Sequence, residues 1–136
     1  MSDAVAAIRA LLVANVAVTS LAPADKIVAG VIKQGTALPA LGVSHVSTVP
    51  ISAMDAQATF NLVTSRVQVT GMAKSYPEVK ALLAAVRKAC NYAHGIYVGV
   101  AVASVVRDIV GPDMSDGDAG IEMQTIDFKV TFHEPN

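Results

Sequence analysis

The side chains able to do chemistry in this chain are few and scattered. His45, His94 and His133 lie far apart, and none has a Cys, Asp or Glu partner at the spacing a metal site needs. Asp113, Asp116 and Asp118 flank Gly117 and invite a calcium reading, but they miss the EF-hand pattern. The twelfth position from Asp113 is Gln124 rather than the bidentate Glu. Turn formation and solvation account better for them. Cys90 falls on the apolar stripe of a predicted helix near its C-terminal end, where a thiolate gains nothing, so it reads as a small buried hydrophobe. No G-x-S-x-G elbow, P-loop or G-x-G-x-x-G is present. The expectation is therefore no catalytic residue, no cofactor and no metal.

The elements that position these residues centre on Leu62–Cys90. Val63, Ser65, Val67 and Val69 alternate with Arg66, Gln68 and Thr70, the period of a half-buried strand. After a turn at Gly71–Lys74, Ser75-Tyr76-Pro77-Glu78 starts a helix. Ser75 caps the Glu78 N–H, Glu78 reaches back, and Pro77 lacks only an N–H that has no helical partner there. Val79, Leu82, Leu83, Val86 and Cys90 then form one face, with Arg87 and Lys88 at the negative end of the helix dipole.

Before this unit, Ser2 or Asp3 caps a first helix carrying Val5, Ile8, Leu12 and Val16. Lys26–Ile32 reads as a short strand, Gln34–Pro39 as a connector, and Leu41–Val49 as a second strand weakened by Gly42. Pro50–Asn61 has no clear period and reads as a surface loop, with apolar Ile51, Met54 and Phe60. After the second helix, the Val-rich run Ile96–Val110 reads as a buried strand, Gly111–Gly120 as a polar turn, and Ile121–Phe132 as the last strand of a long hairpin. Ile126, Phe128, Val130 and Phe132 share one face, whereas Ile121 and Met123 stand in the opposite register. That flip near Thr125 predicts a bulge or a hairpin tip that leaves the core, the tip being preferred. The sum is one α+β domain over 1–136: a two-layer sandwich with about five largely antiparallel strands, two helices on one face and a long C-terminal hairpin.

With 136 residues, 53% of them hydrophobic, 15% charged and a net charge of −1, the chain is apolar-rich and nearly neutral. Its longest apolar stretch is too short to span a bilayer as a helix. Lys and Arg form no stripe of the kind that grips phosphates, so sequence-specific nucleic-acid binding is not expected. A single cysteine allows no internal disulfide. The N-terminus lacks the basic segment of a secretion signal, so synthesis in the cytoplasm is the expectation. So much apolar surface on a small domain favours contact with another subunit. Ile51, Met54, Phe60, Ile121 and Met123 are the candidate interface residues.

Four stretches together resemble the tail-completion, or tail terminator, family of long-tailed bacteriophages. They are Ala6–Leu12 leading to Asp25-Lys26-Ile27; the connector Gln34–Pro39; Ser65–Val69 with the helix from Ser75; and the closing strand Gly120–Val130. Where many relatives carry aromatics, this chain has Gly42-Val43 and Gly71-Met72. The resemblance implies a virion protein that forms a ring, usually of six copies, at the head-proximal end of the tail tube. Such a ring stops tube growth and docks on the head connector, in a phage or in a phage-derived particle such as a gene transfer agent. Asp113, Asp116 and Asp118 are then candidates for the lumen or rim, and the hairpin tip for contacts with neighbours. Two other readings compete: a small homo-oligomeric α+β module binding a ligand between helix and sheet, and an enzyme whose site is shared by two subunits.

Overall fold

The computed structural model describes residues 3–51 and 60–135. The chain runs α1 (Asp3–Ala14), a single turn α2 (Val16–Thr19), a 3-10 turn (Ala24–Lys26), β1 (Ile27–Ala29), β2 (Ala40–Pro50) and β3 (Phe60–Ala73). It continues with α3 (Tyr76–Cys90), β4 (Gly95–Tyr97), β5 (Val100–Val110), β6 (Met114–Asp116) and β7 (Ile121–Pro135). The strands form one sheet in the order β1-β2-β3-β7-β5-β4, with β6 continuing the β5 side of β7. Only β1 pairs in parallel. This is the expected α+β two-layer sandwich, with seven strands among the described residues where about five are expected.

Alternation on β3 and β7 builds the core. Val63, Val67 and Val69 of β3 and Ile126, Phe128, Val130 and Phe132 of β7 are buried under α1 and α3. Their neighbours Arg66, Gln68, Lys129 and Thr131 point to the other face of the sheet, on which no helix of the described residues packs. Ser65 keeps its predicted inward position because Thr48 Oγ1 lies 2.7 Å from its hydroxyl. Arg9 ties α1 to the sheet by donating from Nε to the Ile27 carbonyl at 2.9 Å. Ser75 Oγ accepts from the Glu78 N–H at 3.4 Å, as the start signal of α3 requires.

Several boundaries move, each for a local reason. The first helix stops at Ala14 because Asn15 caps a new turn, its Oδ1 accepting from the Val18 N–H. Val18 is buried in place of the expected Val16, which is exposed. The strand predicted at Lys26–Ile32 shrinks to three residues, cut by the 3-10 turn before it and by Gly30 in the left-handed region after it. Strand β2 continues through Gly42, which serves there as a site of close backbone approach: a Cβ would stand 2.8 Å from the Gly30 carbonyl oxygen.

The run Ile96–Val110 is two strands, folded over at Val98-Gly99 with both residues at positive φ (51° and 77°). Nor is it buried throughout. Beyond Val102 no strand among the described residues pairs with its outer side, where the Tyr92 N–H bonds the Val105 carbonyl and Asn91 Oδ1 accepts from the Arg107 N–H, and Val106, Ile109 and Val110 are 44%, 51% and 48% exposed. The polar turn is shorter than expected, since β6 pairs with the start of β7 and leaves Gly117–Gly120 as the turn proper.

Of the two explanations of the flip near Thr125, the bulge is absent from the β3–β7 ladder, which keeps one register from Ala73↔Glu122 to Phe60↔Pro135. On the other side of β7 the ladder is irregular, with β5 shifting register between Val102 and Ser104 and again between Arg107 and Val110. Gln124 therefore does face the helices, and the hairpin formed by β6 and β7 projects past the core, with Pro112–Gly120 exposed.

Candidate assembly interface

The base of the projecting hairpin is fastened to the first turns of α3. Lys80 Nζ donates to Asp113 Oδ1 at 2.6 Å and to Gln124 Oε1 at 2.9 Å, while Tyr76 donates its phenolic hydrogen to Asp113 Oδ2 at 3.0 Å. Tyr76 and Lys80 are four apart on one helical face, so the ammonium also stands 4.9 Å from the Tyr76 ring centroid. Gln124, 7% exposed, completes the set by donating from Nε2 to the Gly111 carbonyl at 3.0 Å. The hydrogen bond from Lys80 holds the Asp113 carboxyl below the ordinary carboxylate range, and the same bond raises the Lys80 pKa. A buried amide on the core face of a strand is tolerable because both its ends are used.

The tip aspartates thus have different roles. Asp113 is neutralised within the chain. Asp116 Oδ1 accepts from the Ala119 N–H at 3.2 Å and shapes the turn, Asp118 is exposed beside it, and neither meets a cation among the described residues. Of the candidate interface residues, Ile121 and Met123 stand half-buried on the face away from the helices. With Met72 and Met114 they line a hollow of about 190 Å³. Met72, Met123 and Met114 are direct cross-strand partners, three adaptable side chains in a row. Ile51 is 45% exposed just past β2, its N–H bonded to the Leu62 carbonyl at 2.9 Å. Met54 lies outside the described residues, as does the side chain of Phe60, whose backbone opens β3 opposite Pro135.

Two surface features were not anticipated from the sequence. One is a groove of about 200 Å³ between α3 and the C-terminal half of β5. Its floor is apolar (Leu83, Ala84, Val110 and Ile126), and Lys80, Arg87 and Arg107 supply its rim. Arg87 was legible only as a helix-end cation, and nothing in the spacing brings it near Arg107. The other is an ion cluster on the bare sheet face. Arg66 binds Asp108 through both Nε and Nη2 and lies 3.4 Å from Asp127, and Lys129 stands 3.9 Å from Asp108. Two cations and two carboxylates cancel there, and Thr64 and Thr131 pair beside them at 3.1 Å. The histidines lie apart. His45 Nε2 is 2.6 Å from Thr48 Oγ1, the His94 carbonyl accepts from Tyr97, and His133 is exposed. Among the described residues no group of three or more His, Cys, Asp or Glu side chains comes together. No helix among them is long and apolar enough to cross a membrane.

The profile of the family described as tail completion protein gp17 matches residues 6–127. The chain belongs to the tail completion protein gp17 family. Members are structural virion proteins, and the family sets the protein among the tail or head components of a phage-type particle. A chain from the virion of a native gene transfer agent particle superposes with a TM-score of 0.64 at 17% identity, over 95% of this chain and 93% of that one. At that identity the likeness is one of fold. No curated protein matches the sequence significantly.

Proposed function

We propose that this tail completion protein forms a ring, of six copies, that caps the head-proximal end of the tail tube, stops its growth and joins it to the head–tail connector. Assembly takes place in the host cytoplasm, residues 1–136 act as one domain, and DNA passes through the lumen. The observation that carries the reading is the open border of the sheet along β5. There Val106, Ile109 and Val110 are exposed, and past the bonds that Tyr92 and Asn91 make to Val105 and Arg107 no strand among the described residues pairs with the outer side, an arrangement stable proteins cover. A cyclic assembly covers such a border on every copy with one repeated head-to-tail contact. Ile51, Met54, Phe60, Ile121 and Met123 belong to the surfaces that meet neighbours, the last two through the methionine-lined hollow.

The self-cancelling cluster on the uncovered sheet face supports passage of DNA. A lumen rich in unpaired Lys and Arg would hold the phosphates, whereas Arg66 and Lys129 are balanced by Asp108 and Asp127. Native mass measurement with negative-stain imaging, of the free protein and of particles, tests the reading. Rings of this chain at the tail–head junction are expected. A compact dimer that never forms rings and is absent from particles overturns it.

A further inference from the structure

The groove between α3 and β5 is unfinished within one chain. Of its three cations Lys80 is answered by Asp113, while Arg87 and Arg107 meet no carboxylate among the described residues. Arginine is the side chain whose planar fork suits a carboxylate, and an apolar floor beneath it strengthens that attraction by excluding water. Beside the groove Tyr92 and Asn91 cover the outer edge of β5 as far as Arg107, the Tyr92 N–H donating to the Val105 carbonyl at 2.7 Å and the Arg107 N–H to Asn91 Oδ1 at 3.1 Å, and beyond it no strand among the described residues pairs with that edge.

The β6–β7 tip offers what the groove lacks. Asp116 and Asp118 carry charges with no cation partner among the described residues, and Met114 and Ile121 flank them with apolar surface. The tip is also built in advance. The Ala119 N–H bond to Asp116 fixes the turn, and Asp113 with Lys80 fixes the base, so little ordering remains to oppose binding. It cannot serve its own arginines. Asp116 lies level with Ile121 and Arg107 level with Phe128, seven residues along β7, or roughly 23 Å of strand.

We infer that the acidic β6–β7 tip of one copy seats in the Arg87–Arg107 groove of the next copy, a head-to-tail contact between opposite charges. This inference rests on the ring reading and names a contact that holds it together.

The test uses three full-length chains in sedimentation velocity: wild type, R87E/R107E and D116R/D118R. Wild type is expected to self-associate, with affinity falling about tenfold or more as salt is raised. Each variant alone is expected to associate about a hundredfold more weakly. An equimolar mixture is expected to recover wild-type association, because every groove of one variant then meets the opposite charge on the other's tip. Misfolding cannot produce that rescue. Wild-type rings that persist in both variants overturn the contact and leave the ring standing. Variants that stay apart when mixed, or a wild type that never self-associates, overturn the contact as well. The ring itself is then judged by imaging of particles.

Discussion

Lys80 on α3 and Gln124 on β7 meet at 2.9 Å, at a place on the helix-facing side of the sheet where the alternation of β7 puts an amide. The same amide donates to Gly111, so one side chain joins helix, hairpin base and strand. Gln124→Ala leaves the Gly111 carbonyl and one Lys80 hydrogen without their partner. It is expected to cost about 1–3 kcal/mol, read as a lower urea midpoint with an unchanged slope.

The neighbouring pair makes a prediction in pH. Asp113 has its carboxyl lowered chiefly by the hydrogen bond from Lys80, with the bond from Tyr76 second. A depressed carboxyl pKa contributes stability that is present above the ordinary carboxylate range and is lost as pH falls through the lower folded value. Lys80, raised chiefly by Asp113, contributes stability present below the ordinary lysine range and lost as pH rises through its higher folded value. In Asp113→Asn both arms are expected to flatten, seen as a thermal midpoint less sensitive to acid and to strong alkali than that of wild type. Both groups are open to solvent, so added salt is expected to shrink the difference.

Much of this architecture is legible in the sequence because its signals are local. Ser75 and Pro77 announce α3, and the alternation from Val63 to Val69 fixes which face of β3 is core. What stays hidden depends on partners distant in sequence. The turn at Val98-Gly99 sits inside a valine run where positive φ is not expected of a β-branched residue. The opposite register of Ile121 and Met123 leaves both a bulge and a projecting tip open until Met72 and Met114 are seen beside them and Lys80 is seen beneath Gln124. The Arg87–Arg107 groove joins residues twenty apart that share no motif. Sequence periodicity reports which face is buried. It does not report which strand lies at an edge.

Gly71 illustrates a packing constraint behind a residue that reads as a turn. It lies inside β3, and a Cβ there would stand 3.0 Å from Leu83 Cδ2 and 3.5 Å from Leu82 Cδ2. Gly71→Val is expected to destabilise by about 1–3 kcal/mol through overpacking against α3. Leu83→Ala, which removes the obstructing methyl, is expected to make the pair of changes cost less than the sum of the two. Denaturant unfolding of the four chains in a double-mutant cycle measures that coupling.

Cys90 supplies a probe of the core. Its thiol is buried at the end of α3, and desolvation pushes its pKa up to about 12. A thiol reagent near pH 8 is therefore expected to label the native chain only as fast as the core opens, and to label it at once in denaturant. The raised pKa also sets a sign. The folded state holds the proton more tightly, so this contribution is complete below the ordinary thiol pKa and is lost as pH rises from there through about 12. Cys90→Ala removes that alkaline loss and costs some packing at neutral pH. The two stability–pH curves are therefore expected to converge above pH 9, and curves that stay parallel would show that the thiol is not held protonated by burial.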